Sequence, residues 1–213
     1  MSGHAGAEAF LPERSSLTAL RSAAAHCEGC DLFHEATQTV FGSGAGKARV
    51  MLVGEQPGDQ EDRAGEPFVG PAGHLLDRAL ADAELDEVAV YRTNAVKHFR
   101  FHLAPRGKRR IHQAPSRGQL LACLPWLQAE MRAVRPELVV GLGASAAHAL
   151  FGQDFRLTQH RGEVLGGPES MPGDWQVLVT VHPSSVLRSN DREQAYHDFV
   201  RDLRAVKAAL PPE

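Results

Sequence analysis

The chain has 213 residues, a net charge of −3, 43% hydrophobic and 23% charged residues, and three cysteines. Those figures suit one domain with a full core and exclude disordered, collagen-like and disulfide-stapled chains. No apolar run approaches the roughly 20 residues that span a bilayer, and the first residues lack the pattern of a signal peptide, so a cytoplasmic protein with no membrane attachment is expected.

In chain order, residues 1–12 are expected to be disordered and residues 17–27 read as a helix ending in Cys27-Glu28-Gly29-Cys30. Gly42-Ser43-Gly44-Ala45-Gly46-Lys47-Ala48 approaches the P-loop pattern but fails it, with Phe41 where a glycine is required and Ala48 where Ser or Thr is required. Residues 49–53 (RVMLV) read as a strand that ends in the glycine-rich turn 54–58 (GEQPG). After Gly73, the stripe Leu75, Leu76, Ala79 and Leu80 predicts a helix. A second strand, 88–91, leads into Arg92-Thr93-Asn94, and a long segment, 97–117, follows it.

Ser116 is placed to cap a helix carrying Leu120, Leu121, Leu124 and Leu127, in which Pro125 predicts a kink or a late start. Strands at 138–142 and 177–181 bracket a helix at 144–151, and residues 194–210 read as the last helix. Gly141-Leu142-Gly143-Ala144-Ser145-Ala146 fits the loose dinucleotide fingerprint, but it follows the third strand and is read as close helix–strand packing through small residues. Strands alternating with helices predict one three-layer α/β/α domain over 1–213, built on a central four-stranded, mostly parallel sheet.

Ligands of such sheets bind at the carboxyl ends of the strands. Gly54, Glu55 and Gln56, then Asn94, then His182, Ser184 and Ser185 lie there. The segment 97–117 hangs from the same edge and is longer than an ordinary loop, which marks it as a functional insert. It also belongs to an acid-free window: from Val88 to Ala129 there is no Asp or Glu, while Arg92, Lys97, Arg100, Arg106, Lys108, Arg109, Arg110 and Arg117 are present. A local basic patch on an acidic chain attracts polyanions. Cys27, Cys30 and Cys123, with His98 as a fourth ligand, make a Cys3His set that suits structural zinc and, less commonly, a [4Fe–4S] cluster. Spacing alone leaves both open.

The segments GEQPG (54–58), PFVGPAG (67–73), TNAVK (93–97) and VHPSS (181–185) together resemble the uracil-DNA glycosylase superfamily, family 4 in particular. They occur in the family's order and cover residues 27–203. Gln56, His98 in place of a family cysteine, and the insert Lys108-Arg109-Arg110-Ile111-His112 are similar to the UdgX branch, whose members become covalently trapped on uracil-containing DNA. The resemblance implies a [4Fe–4S] cluster on Cys27, Cys30, His98 and Cys123, with zinc the lesser choice. It implies a uracil pocket of Gly54, Gln56, Phe68, Asn94 and His182, with Phe68 as stacking platform for a flipped base.

Glu55 would act at the sugar, His182 on the departing uracil, and His112 in place of water as the nucleophile. Lys108, Arg109 and Arg110 would clamp phosphates, Arg110 foremost, and a loop from Ser184 and Ser185 to Arg188 would probe the DNA. A monomer acting on single-stranded uracil DNA is expected. The rivals are a conventional turning-over family 4 enzyme, a non-catalytic Fe–S module binding single-stranded nucleic acid, and a nucleotide-cofactor enzyme built on Gly141–Ala146.

Overall fold

The computed structural model describes residues 4–85, 88–105, 107–168, 173 and 175–212. Strands β1 (Ser43–Gly44), β2 (Val50–Gly54), β3 (Val90–Asn94), β6 (Leu138–Leu142), β7 (Val164–Gly166) and β8 (Gln176–Thr180) form one sheet in the order β1-β3-β2-β6-β8-β7. A separate two-stranded ribbon pairs β4 (Phe101–Leu103) with β5 (Arg110–His112). The helices are α1 (Leu17–Ala24), α2 (Asp59–Ala64), α3 (Pro71–Asp82), α4 (Arg117–Val134), α5 (Ala144–Phe151), α6 (Leu157–His160), α7 (Pro183–Leu187) and α8 (Arg192–Ala209).

The sheet has six strands where four are expected from sequence. The four anticipated strands are its parallel centre, β3-β2-β6-β8. The additions, β1 and β7, are antiparallel edges of two and three residues, too short to show a period-2 pattern. Every residue of β2 and β6 is buried, as in a sheet covered on both faces. Met51 and Val53 face the layer holding Trp126, Leu127 and Leu150, whereas Val50 and Leu52 face the layer holding Leu76, Phe199 and Leu203. Alternation along one strand thus serves two cores.

Local signals set most helix ends. Ser116 and Gln119 form a reciprocal capping box at the start of α4, an arrangement that contributes about 1 kcal/mol. The helix accordingly begins at Arg117 and runs through Pro125, so the late start does not occur. Disorder is also not what residues 4–12 show: Glu8–Phe10 form a 3-10 turn, and the amides of Gly6 and Ala7 donate to the carbonyls of Gly29 and Ala122 at 2.9 and 2.8 Å. Backbone pairing and the buried Ala7 methyl hold this lead in place. Among the described residues no helix is long and apolar enough to cross a membrane.

The strand order reverses between β3-β2 and β6-β8, so β2 and β6 flank the switch point at which α/β sheets open a crevice. Glu55 leaves β2 and Ser145 lies in the first turn of α5, just after β6.

Candidate active site

Gly54 and Asn94 are register partners at the ends of β2 and β3. A Cβ at Gly54 would collide with Asn94 Oδ1 and lie 2.8 Å from Phe68 Cζ. Glycine is therefore what lets the Asn94 carboxamide and the Phe68 ring close over the end of β2. Phe68 sits at φ 60°, a left-handed conformation that is uncommon for a bulky residue and is held here by the loop before α3. Its ring faces that of His182 with centroids 6.3 Å apart and 24° between planes. A flat face, a donor–acceptor carboxamide and an imidazole suit a planar heterocycle with polar edges.

His182 caps α7. The Ser184 amide donates to its Nδ1 at 3.1 Å and the Ser184 hydroxyl lies 2.8 Å from the same atom, so the ring proton is on Nε2. Ser185 Oγ donates to the His182 carbonyl at 2.7 Å. The expected DNA-probing loop is therefore a short helix, and its two serines are occupied in orienting His182. Arg188 remains exposed at its end.

Burial pushes the His182 ring down to about 4, with Glu55 opposing and His112 and Arg188 assisting. The neutral ring is thus an Nε2–H donor at neutral pH. Because the unfolded ring protonates near 6.5 and the folded ring only near 4, its stabilisation is fully present above 6.5 and is lost as pH falls through about 4. Thermal melting should fall across that window, and His182→Gln should remove part of the slope; an unchanged slope would show the ring to be solvated.

Glu55 is gripped from both sides. His112 Nε2 lies 3.1 Å from Oε1, and the Ser145 hydroxyl donates to Oε2. Burial works to raise the carboxyl's pKa, but the His112 and Ser145 hydrogen bonds and the nearby imidazoles outweigh it, leaving it lowered and the group ionised. Ser145 belongs to the glycine-rich stretch that the sequence marks only for packing. Gly143, at φ 91°, makes the turn that brings it in.

His112 reaches Glu55 because of the ribbon's pleat. In β5, Arg110 and His112 share one face and Ile111 the other. Arg110 turns inward with its side chain only 9% exposed, paired with Asp59 and with Asp62 at 2.6 Å, its guanidinium over the Phe99 and Phe101 rings. His112 follows it to the same side, near Phe99, while its own side chain stays 51% exposed.

Two expectations change here. Arg110, expected foremost on phosphates, is committed to two carboxylates. Gln56, expected on uracil, spends its amide on the ribbon's base: Nε2 donates to the carbonyls of Arg100 and Gln113 at 3.1 Å each, and Oε1 accepts from the Arg100 amide. Lys108 and Arg109 remain exposed at the turn.

Sequence reasoning passes over Glu130. This fully buried carboxylate accepts from the Gly42 amide, Tyr91 and Thr93 hydroxyls and the Lys97 ammonium, and Lys97 also donates to the Asn94 carbonyl at 2.7 Å. The ion pair lies directly under Asn94. Its lysine is in the TNAVK segment, but no local pattern marks its partner.

The three cysteines are buried, and donors point at two of their sulfurs: Lys97 N–H at Cys123 Sγ, 3.3 Å, and Trp126 Nε1–H at Cys27 Sγ, 3.2 Å. Thiolates ligating a metal or cluster are stabilised by such donors. His98, next to Lys97, lies 2.9 Å through Nε2 from Thr39 Oγ1, which itself donates to the Ala24 carbonyl. The Thr39 oxygen therefore accepts from Nε2–H, and Nδ1 carries the free lone pair. Among the described residues no group of three or more His, Cys, Asp or Glu side chains is arranged to hold a metal ion.

A parallel-centred α/β sheet whose carboxyl edge holds an aromatic ring, a carboxamide, an ionised carboxylate and two imidazoles has the make-up of a protein that grips a planar base and acts on the bond beside it. The chain belongs to the uracil-DNA glycosylase superfamily, whose family model matches residues 41–204. It is 34% identical over 188 residues to a type-4 uracil-DNA glycosylase of Thermotoga maritima, covering 88% of this chain and 91% of that one. Similar enzymes of Pyrobaculum aerophilum and Archaeoglobus fulgidus are each 35% identical, over 181 residues (84% of this chain, 86% of that one) and 178 residues (81% and 84%).

Proposed function

We propose that the chain excises uracil from DNA, single-stranded DNA by preference, and is then joined through His112 to the C1′ of the sugar it has exposed. The observation that carries this reading is the 3.1 Å contact of His112 Nε2 with Glu55 Oε1. With the imidazole on Oε1, a hydrolytic water would have to displace it to reach that oxygen of the carboxylate.

Uracil flipped from the strand stacks on Phe68 and pairs its polar edge with Asn94. As the C1′–N1 bond breaks, its electrons pass to uracil, and His182 Nε2–H steadies the anion forming at O2. The ionised Glu55 favours the cationic sugar and accepts the Nε2 proton of His112. The nitrogen's electron pair then closes on C1′. The product is a neutral N-alkyl imidazole, a poor leaving group, so the reaction stops after one turnover. Lys108, Arg109 and Arg188 would meet phosphates. A [4Fe–4S] cluster on Cys27, Cys30, Cys123 and Nδ1 of His98 would brace the segment leading into Asn94. Zinc on the same four groups is the lesser choice.

The test is to mix the protein with single-stranded uracil DNA and run a denaturing gel, with thymine DNA as control. A surviving band supports trapping. Free abasic product beyond one equivalent favours the turning-over reading that the three relatives' names suggest, and neither outcome leaves simple binding.

Loosening the ribbon should separate positioning from chemistry. Gln56→Ala and Arg110→Ala are each expected to slow adduct formation by about 10- to 100-fold, because displacements near 1 Å weaken a reaction that depends on alignment. The rates are read by quenching before electrophoresis. A wild-type rate in both variants would detach the ribbon's anchors from the chemistry.

A further inference from the structure

The stretch Gly141–Ala146 is not used by the mechanism above, yet it delivers a hydroxyl to the reacting carboxylate. Ser145 Oγ donates to Glu55 Oε2 across the crevice between β2 and β6, while His112 holds Oε1. A carboxylate on a rotatable side chain has two interchangeable oxygens. With a donor on each, one oxygen is reserved for the imidazole and the other is withdrawn from the sugar. The backbone holds Ser145 firmly in this position. It stands in the first turn of a helix entered through the positive-φ Gly143, itself packed with a Cβ position 3.1 Å from His182 Cβ. One turn therefore fixes the relation of Glu55 to His182 as well.

We propose that Ser145 is a positioning residue for the glycosylase reaction, orienting the Glu55 carboxylate so that Oε1 alone faces the sugar and the incoming nucleophile. The proposal rests on the reading that Glu55 works at the sugar. The hydroxyl also helps offset the burial that opposes ionisation of Glu55. Its loss therefore has two consequences: a slower step from a misdirected carboxylate, and a rate that starts to fall at higher pH because the carboxyl protonates more easily.

The experiment follows single-turnover uracil release from single-stranded uracil DNA by Ser145→Ala, Ser145→Thr and Glu55→Gln across pH, with DNA affinity and thermal melting measured alongside. Uracil release is common to trapping and to turnover, so it reads Ser145 under either. Ser145→Ala is expected to release uracil about 10- to 100-fold more slowly, at unchanged affinity, with the acid limb of the pH–rate profile moved to higher pH. Ser145→Thr, which keeps the hydroxyl, should retain the wild-type limb.

An unmoved limb in Ser145→Ala, or a threonine variant with alanine's limb, overturns the proposal. So does a slower rate accompanied only by a lower melting temperature. If Glu55→Gln releases uracil at the wild-type rate, it is the underlying reading of Glu55 that fails. A slow Glu55→Gln beside a normal Ser145→Ala confines the failure to Ser145.

Discussion

His112→Ala is expected to leave no denaturation-resistant adduct on uracil DNA and to release abasic product beyond one equivalent. The variant removes a half-exposed side chain, so the fold should be untouched. Glu55 keeps its Ser145 hydrogen bond, and His182 keeps the Ser184 contacts that put its proton on Nε2. What changes is the occupant of Glu55 Oε1. Water can take the vacated place, and the carboxylate can orient it as general base, a role that contributes about 10²- to 10⁴-fold in rate. Counting equivalents of product on a denaturing gel checks both halves. A persisting adduct would mean another nucleophile. Loss of adduct without product would mean that the imidazole also helps to break the glycosidic bond.

Glu130→Ala should produce the largest loss of stability. The carboxylate is fully enclosed and has four donors, one of them the Lys97 ammonium, itself 1% exposed. Removing it strands a buried cation, a Tyr91 hydroxyl and the Gly42 amide together. Breaking a buried pair from one side costs about 3–5 kcal/mol, which for a chain of this size lowers the melting temperature by roughly 6–20 °C. Lys97 also holds the Asn94 carbonyl, so uracil affinity should fall with stability. The double variant Glu130→Leu with Lys97→Met, which removes both charges, should recover much of the melting temperature, because the penalty lies in the unpaired charge rather than in the absent bond. A double variant as unstable as the single one would refute that account.

The sequence carries the architecture's centre because its signals are local. Short unbroken apolar runs mark β2 and β6, and Ser116 with Gln119 marks the start of α4 within three residues. The sheet's edges escape because β1 and β7 are shorter than any pattern they could display. The same divide runs through the site. Glu55, Asn94 and His182 are legible from motifs at strand ends, and His112 from the resemblance of its insert.

The partners of nearby residues are not. Gln56 lies in a motif that points to uracil, yet it ties down the ribbon 44 residues away at Arg100. Arg110 lies in a basic run that points to phosphates, yet it is neutralised by Asp59 and Asp62, 51 and 48 residues away. A basic run looks unpaired when its acids lie in another segment.

By itself the sequence determined the parallel-centred α/β fold, the capped start of α4 and the residues delivered to the sheet's carboxyl edge. Periodicity, capping and glycine turns act within a few residues and need nothing else. Tertiary structure alone decided which of those groups touch. Strand order put β2 beside β6, so that Glu55 meets Ser145 across 90 residues, and the pleat of β5 turned His112 inward with Arg110. Those contacts depend on how distant segments are brought together, which no local pattern encodes.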